Sequence, residues 1–346
     1  MAIRRDSPGE LKGSVNMATY SRVVDIERTA TVDARRALTH EVRRGLLRRP
    51  RSLSPWMFYD AEGSRLFERI TALPEYYPTR TEREILAKHA DSIVAALRTV
   101  RSPLRLVELG AGTAAKTVIL LEAALRISDD VSYLPVDVSS DALDCACQNI
   151  AYALPEVRIE PIVENYITHP LQLEPFEGTT LALYIGTSIG NFSPDEARMI
   201  LQNLGSQLRT GDALLLGTDM VKDEPTLLNA YDDSDGVTAA FNLNVLHRLN
   251  RELGATFDTS CFRHRAIWNS KESRIEMHLE STEEQHVNIE HAELALHFKR
   301  CETIHTENSY KFTDQGIRSL LEDAGFKIGR AWKDSCDWYT VTLACL

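Results

Sequence analysis

The residue types best suited to chemistry fall in one short stretch, Leu104–Thr117, which reads LRLVELGAGTAAKT. Gly110 and Gly112 let the backbone approach a ligand closely, Glu108 sets a carboxylate just ahead of them, and Thr113 offers a hydroxyl that can cap a following helix. A dinucleotide fingerprint asks for a third glycine three residues after Gly112, where this chain has Ala115. The plain reading is a nucleotide-binding turn. Downstream, Asp137 offers a carboxylate able to accept both hydroxyls of a ribose, and Asn165 with Tyr166 can hydrogen-bond and flank a purine.

Such residues need a sheet to hold them. Leu104, Leu106, Val107 and Leu109 form an apolar run too short for a free-standing helix and suited to a strand covered on both faces. Similar runs follow at Ser132–Val138, at about 157–163, at Leu181–Ile185 and at Ala213–Gly217, and a helix near Thr81–Leu97 precedes them. The alternation predicts a doubly wound α/β sheet whose ligands bind at the strand C-ends. The closing stretch LLEDAGFKIGRAWKDSCDWYTVTLACL adds a helix, a stop at Gly325 and two strand-like runs, so the sheet opens near residue 100 and closes at residue 346.

Between about Val221 and Phe312 the βα rhythm stops. We expect an insertion there, with a helical stretch (Pro225–Leu253) and strand-like segments at Cys261–Ile267, Arg274–Leu279 and His286–Phe298. With residues 21–80 it should build a second domain (21–80 and 221–311) beside the sheet domain (81–220 and 312–346), after a disordered lead-in over residues 1–20. The N-terminal part holds a helix from about Asp33 to Leu47 and an aromatic-rich run from Ser52 to Glu82. Tyr59, Tyr76 and Tyr77 there pair an apolar ring with a polar tip, which suits the pocket of a small amphipathic ligand and equally the core of a helical cap.

Composition narrows the classes of function. Thirty-nine basic against 50 acidic residues give a net charge of −11, which opposes broad contact with nucleic-acid backbone and favours a small-molecule substrate. The six cysteines show no CxxC pairing, so a reducing compartment is the default. No apolar run approaches the roughly 20 residues of a membrane span, and the start MAIRRDSPGE lacks the apolar core of a secretion signal. A cytoplasmic monomer with no membrane or nucleic-acid partner is expected.

Two other chemistries have to be weighed. Gly186-Thr187-Ser188-Ile189-Gly190 matches G-x-S-x-G after a strand, the nucleophile elbow of serine hydrolases, with Ser188 as nucleophile. An elbow feeds straight into a helix, however, whereas Ser193-Pro194 here reads as a fresh cap and first helical residue. Five histidines lie between His278 and His305, but no pair has the helical i,i+4 spacing of a metal site, so a solvated strand face and no metal are expected.

An acid, two spaced glycines and a threonine resemble the opening of the doubly wound S-adenosylmethionine (SAM) methyltransferases. The resemblance sharpens over the longer segments FYDAEGSRLFERITALPEYYPTRTE, ELGAGTAAKT, GTSIGNF, LLLGTDMVKD, NAYDDSDGVTAAFN, WNSKESRIEM and TENSYKF. Together they resemble the histidine Nα-methyltransferases of ergothioneine biosynthesis, from about residue 35 to the end. That family implies a Rossmann-like SAM domain with an α+β substrate domain, SAM as cofactor, and L-histidine as substrate, trimethylated to hercynine. It assigns Gly110, Gly112 and Lys116 to the methionine part of SAM, Asp137 to the ribose, and Asn165-Tyr166, where one member of the family carries Asp-Phe, to adenine. On the substrate side it assigns Asn191 and Tyr231 to the carboxylate, with Tyr76 nearby. Tyr59, Phe67 and the Gly186 backbone fall to the α-amine, and Glu307, Ser309 and Met277 to the imidazole pocket. Tryptophan and thiolated histidine are the alternative substrates, against which Glu307 with Met277 argues for histidine. A buried carboxylate needs a partner, and an imidazole N–H supplies one where an indole or phenyl ring supplies a poor one or none.

Overall fold

The computed structural model describes residues 35–97, 103–166 and 170–346. The expected lead-in, residues 1–20, lies outside them. Among the described residues no helix is long and apolar enough to cross a membrane.

An eight-stranded sheet organises one half. Its order is Lys327–Lys333, Tyr339–Cys345, Ala213–Asp219, Thr179–Tyr184, Leu104–Leu109, Val131–Asp137, and then the short Arg158–Ile159, with Ile162–Val163 also on Val131–Asp137. The strands from 104 to 219 pair in parallel, and the last two close the edge antiparallel. Leu104–Leu109, Thr179–Tyr184 and Ala213–Asp219 are buried at every residue, as a sheet covered on both faces requires. The chain first builds outward from Leu104–Leu109 through Val131–Asp137, then returns to the opposite side at Thr179–Tyr184. This places the topological switch point, where such sheets bind ligands, between Gly110 and Gly186. The doubly wound α/β class read from the apolar runs is the one observed.

Three expected segments are split, and one of them, His286–Phe298, is a hairpin of Gln285–Ile289 and Leu294–Phe298 turned through Glu293 at φ 49°. The third run is two two-residue strands rather than one, because Glu160 and Pro161 interrupt it and proline cannot donate to the ladder. The predicted helix Pro225–Leu253 is two, Glu224–Asn229 and Val237–Leu253. The break follows from Gly236 at φ 70° and from Asp233, whose carboxylate caps the second helix at the N–H of Val237 (2.9 Å) and Thr238 (2.7 Å).

The other half has its own sheet, in the order Arg51–Ser52, Thr303–Tyr310, Arg274–Ser281, Phe262–Asn269, with the hairpin Gln285–Ile289 and Leu294–Phe298 beside it. One hydrophobic core joins Leu38, Val42 and Leu46 from the helix over 35–47 to Phe241, Val245 and Leu249 from Val237–Leu253 and to Ile275, Leu279 and Ile304 from the strands. The cores on the two faces of the large sheet are separate from it. The chain passes between the halves at adjacent points: Phe312 N–H donates to Asp219 O (2.8 Å), and Val221 N–H to Phe312 O (2.9 Å).

Candidate active site

The strand ends at the switch point face the second half across a cavity of about 740 Å³. On the sheet side, Gly110 and Gly112 take φ of 68° and 53°, values natural for glycine, and Ala114 follows at 54°. That third left-handed residue prolongs the loop, so the helix begins only at Thr117. Thr113 therefore caps nothing; its hydroxyl meets Glu68 at 3.3 Å. Beneath the loop, buried Glu108 accepts from the hydroxyls of Thr117 (2.7 Å) and Tyr133, tying strand to helix, and burial pushes its pKa up to about 7.

Asp137 ends its strand with both oxygens against the loop: Oδ2 accepts from Gly112 N–H and Oδ1 from Ser139 N–H, each at 3.0 Å. Burial raises its pKa against the pull of those N–H groups. Each oxygen keeps lone-pair capacity, so the carboxylate can accept a diol as well. Tyr166 is in the cavity wall, held edge-on to Tyr184 with centroids 6.0 Å apart. Asn165 is half-buried and outside that wall.

Sequence reading missed Glu82. It is fully buried on the helix Tyr77–Ala95, ion-paired to Lys116, and its Oε1 accepts from Gly186 N–H (2.9 Å) and Tyr339 Oη (2.7 Å). One carboxylate thus holds Lys116, expected at the methionine part of SAM, and Gly186, expected at the α-amine. The available signal was position: Glu82 shares a helix face with the buried Ile85, Leu86 and Ile93, where a solvated charge does not belong.

The turn after Thr179–Tyr184 runs through Thr187 at φ 68° into one 3-10 turn, Ser188–Asn191. Gly190 lies directly on the backbone of Tyr310, where a Cβ would come 2.9 Å from the carbonyl oxygen, and this close approach carries Asn191 into the cavity wall. Ser193 and Glu196 then form a capping box for the helix Pro194–Gly205, as the Ser-Pro pair predicted. The Ser188 hydroxyl is buried without a hydrogen-bond partner among the described residues. A nucleophilic serine needs a base within hydrogen-bonding reach, so the elbow reading fails here.

On the far wall, Thr303–Tyr310 pairs with Arg274–Ser281, and the register slips between His305 and Glu307. The extra residue, Thr306, donates its hydroxyl to Asn242 Oδ1 (2.8 Å) and Met277 O (3.0 Å). A bulge of this kind re-aims the next side chain. Glu307 consequently enters the cavity wall opposite Met277. Burial pushes its pKa up to about 8, only the distant pull of Lys311 opposes this, and no side chain among the described residues hydrogen-bonds the carboxyl.

Aromatic side chains line the same cavity. Tyr59 meets Phe67 (centroids 5.9 Å), Phe67 meets Tyr76 (6.3 Å) and Tyr76 meets Tyr231 (6.1 Å), all edge-on. Ser309 is not part of the cavity wall. It shares the strand face of Glu307 but is covered by Tyr231: its hydroxyl sits 2.7 Å from Tyr231 Oη and accepts from Lys311 at 2.8 Å.

Glu276, His278 and His305 come within metal-ligand reach of one another, a meeting made by strand register rather than by helical spacing. Arg274 already holds Glu276 at 2.6 Å, and the two imidazoles stack with centroids 4.8 Å apart and planes 23° from parallel. These two histidines are not on the solvated face expected of them: burial lowers the pKa of both His278 and His305.

The family of SAM-dependent, histidine-specific methyltransferases matches residues 38–345. The chain belongs to that family. The histidine N-alpha-methyltransferase of Mycolicibacterium smegmatis is 42% identical over 315 residues, covering 91% of this chain and 97% of that protein. The histidine N-alpha-methyltransferase of Mycobacterium tuberculosis is 41% identical over 308 residues, covering 89% and 94%. Among solved structures, the magnesium protoporphyrin IX methyltransferase of Synechocystis with bound S-adenosylhomocysteine (SAH) superposes with a TM-score of 0.43 at 13% identity, over 83% of this chain and 96% of that one. As a member of the family this methyltransferase uses SAM. Its residues fit that cofactor: a glycine loop without side chains to obstruct approach, and an acceptor carboxylate, Asp137, beside a ring, Tyr166.

Proposed function

We propose that this methyltransferase transfers three methyl groups in succession to the α-amine of L-histidine, giving hercynine, and that it works in the cytoplasm as a monomer. The observation that carries the reading is Glu307, a buried carboxyl with no side-chain hydrogen-bond partner among the described residues, in the wall of the same cavity as Asp137. In this reading residues 21–80 and 221–311 bind the amino acid, and residues 81–220 and 312–346 bind SAM. Asp137 takes the ribose and Tyr166 the adenine face, with Asn165 at its edge. Gly110, Gly112 and Lys116 surround the methionine part.

When bound, SAM supplies an electrophilic methyl on a positively charged sulfur. The protein's share is positioning. Glu307 pairs with the imidazole against Met277, while Asn191, Tyr76 and Tyr231 hold the carboxylate, with Ser309, which the resemblance gave to the imidazole, instead behind Tyr231. Tyr59, Asn191 and the Gly186 backbone aim the amine lone pair. A reference α-amine titrates near 8, so a neutral fraction exists at working pH and a strong general base is optional. Holding the amine in line is the larger effect. The edge-on rings of Tyr59, Phe67 and Tyr76 give a growing ammonium head a cation–π surface. The test is mass spectrometry of the products from histidine and SAM: the trimethylated betaine is expected, and accumulation of the monomethyl product alone, or none, overturns the reading.

A further inference from the structure

Where Thr303–Tyr310 leaves the substrate sheet, the next residue is a lysine with a fully buried side chain. Lys311 Nζ pairs with Asp219 Oδ2 at 2.8 Å and donates to Tyr231 Oη at 2.9 Å and to Ser309 Oγ at 2.8 Å. An ammonium has three N–H donors, and all three are taken. The lysine is absent from the cavity wall, but Tyr231 is in it. Asp219 is in turn held by Lys222 (2.5 Å) and Tyr77 Oη (2.8 Å), so the cluster sits where the chain crosses between the two halves.

We propose that Lys311 is a positioning residue that turns the Tyr231 hydroxyl into a dedicated hydrogen-bond donor for the carboxylate of the amino-acid substrate; this rests on the reading of Tyr231 given above. The Tyr231 oxygen has two lone pairs. Lys311 occupies one, and Ser309, 2.7 Å away and itself receiving a Lys311 N–H, can donate to the other. The phenol hydrogen is then left for the cavity side, where Tyr76, the other tyrosine read at the carboxylate, is its neighbour. A cation against the phenol oxygen also strengthens it as a donor, while burial keeps Tyr231 protonated. The arrangement explains a serine and a lysine behind the wall that touch nothing in the cavity.

The experiment measures Kd by calorimetry on SAH-loaded enzyme for histidine and for histamine, which lacks the carboxylate. Wild type, Lys311→Met, Lys311→Gln, Tyr231→Phe and the double variant Tyr231→Phe/Lys311→Met are compared. Asp219 keeps Lys222 as counter-ion in each lysine variant, so no buried carboxylate is left unpaired. Loss of one charge-assisted hydrogen bond predicts that the preference for histidine over histamine falls about tenfold or more in Lys311→Met, with histamine binding within about threefold of wild type. Lys311→Gln, which keeps donors without charge, should fall between. Adding Lys311→Met to Tyr231→Phe should change the preference little. A preference kept in Lys311→Met, or histidine and histamine weakened together, overturns the proposal. Loss of SAH binding in both lysine variants makes the residue a scaffold element and overturns it as well. A wild type that does not prefer histidine over histamine would instead overturn the reading of the carboxylate site itself.

Discussion

Glu307 stands directly across from Met277 in the strand pair that walls the cavity, one residue past the slip in register at Thr306. Without that slip the strand alternation would turn Glu307 to the face now carrying His305 and His278. An acid is thus held against a thioether, and its pKa of about 8 is the consequence of that burial. An imidazole is a suitable guest because the pair needs a single shared proton, whichever partner carries it.

Binding of an imidazole ligand should therefore have a bell-shaped pH dependence. Above about 8 Glu307 is ionised and free imidazole is neutral, so the complex must take up a proton and affinity falls. Below about 6.5 the free imidazole is cationic and Glu307 protonated, so a proton must leave and affinity falls again. Calorimetry with imidazolepropionate, which has no titrating amine, should show an optimum between these values. A pH-independent Kd from 5.5 to 9.5 contradicts the assignment.

The same carboxyl should weaken the empty fold at alkaline pH. Its folded pKa of about 8 lies above its ordinary value of 4.5, so between the two the folded chain holds a proton that the unfolded chain has lost. Stability then falls as pH rises from about 4.5 to about 8, and the full penalty stands above 8. Glu307→Gln should raise the Tm of the ligand-free enzyme at pH 9 and change it little at pH 5, while weakening histidine. An equal shift at both pH values would show that the carboxyl is not the source.

Asp137→Ala removes the acceptor at the cofactor end. The N–H groups of Gly112 and Ser139 lose their partner too, so the loop loosens as well as the diol contact. SAH affinity should fall by about tenfold to a hundredfold, the range for losing hydrogen bonds to a charged group. Equilibrium binding of SAH checks this, and an unchanged Kd would place the ribose elsewhere.

Much of this was legible in the sequence, for a physical reason. Short, mostly apolar runs such as Leu104–Leu109 and Ala213–Asp219 suit central strands, and glycines near their ends mark the turns. Asp137 and Tyr166 could be read because strand C-ends in such sheets are where ligands go. Thr113 misled because a cap depends on where the helix starts, and Ala114 in a left-handed conformation is not a choice its side chain announces. The aim of Glu307 depends on a bulge, the role of Glu82 on a contact 104 residues away at Gly186, and that of Lys311 on Asp219. Such partners are set by tertiary register, which no local pattern carries. Ser309 reached this site through family resemblance, and the fold gives it the back of the wall rather than the front.

The claim on which the account turns is that Glu307 selects the imidazole ring. Calorimetry on SAH-loaded enzyme with histidine, phenylalanine and tryptophan tests it most directly, in wild type and in Glu307→Gln. The account predicts that wild type binds histidine about a hundredfold or more tighter than either other amino acid, because a ring unable to share the proton leaves the buried carboxyl unpaired, and that Glu307→Gln narrows the gap sharply. Phenylalanine or tryptophan binding within tenfold of histidine in wild type, or a gap unchanged in Glu307→Gln, would contradict it.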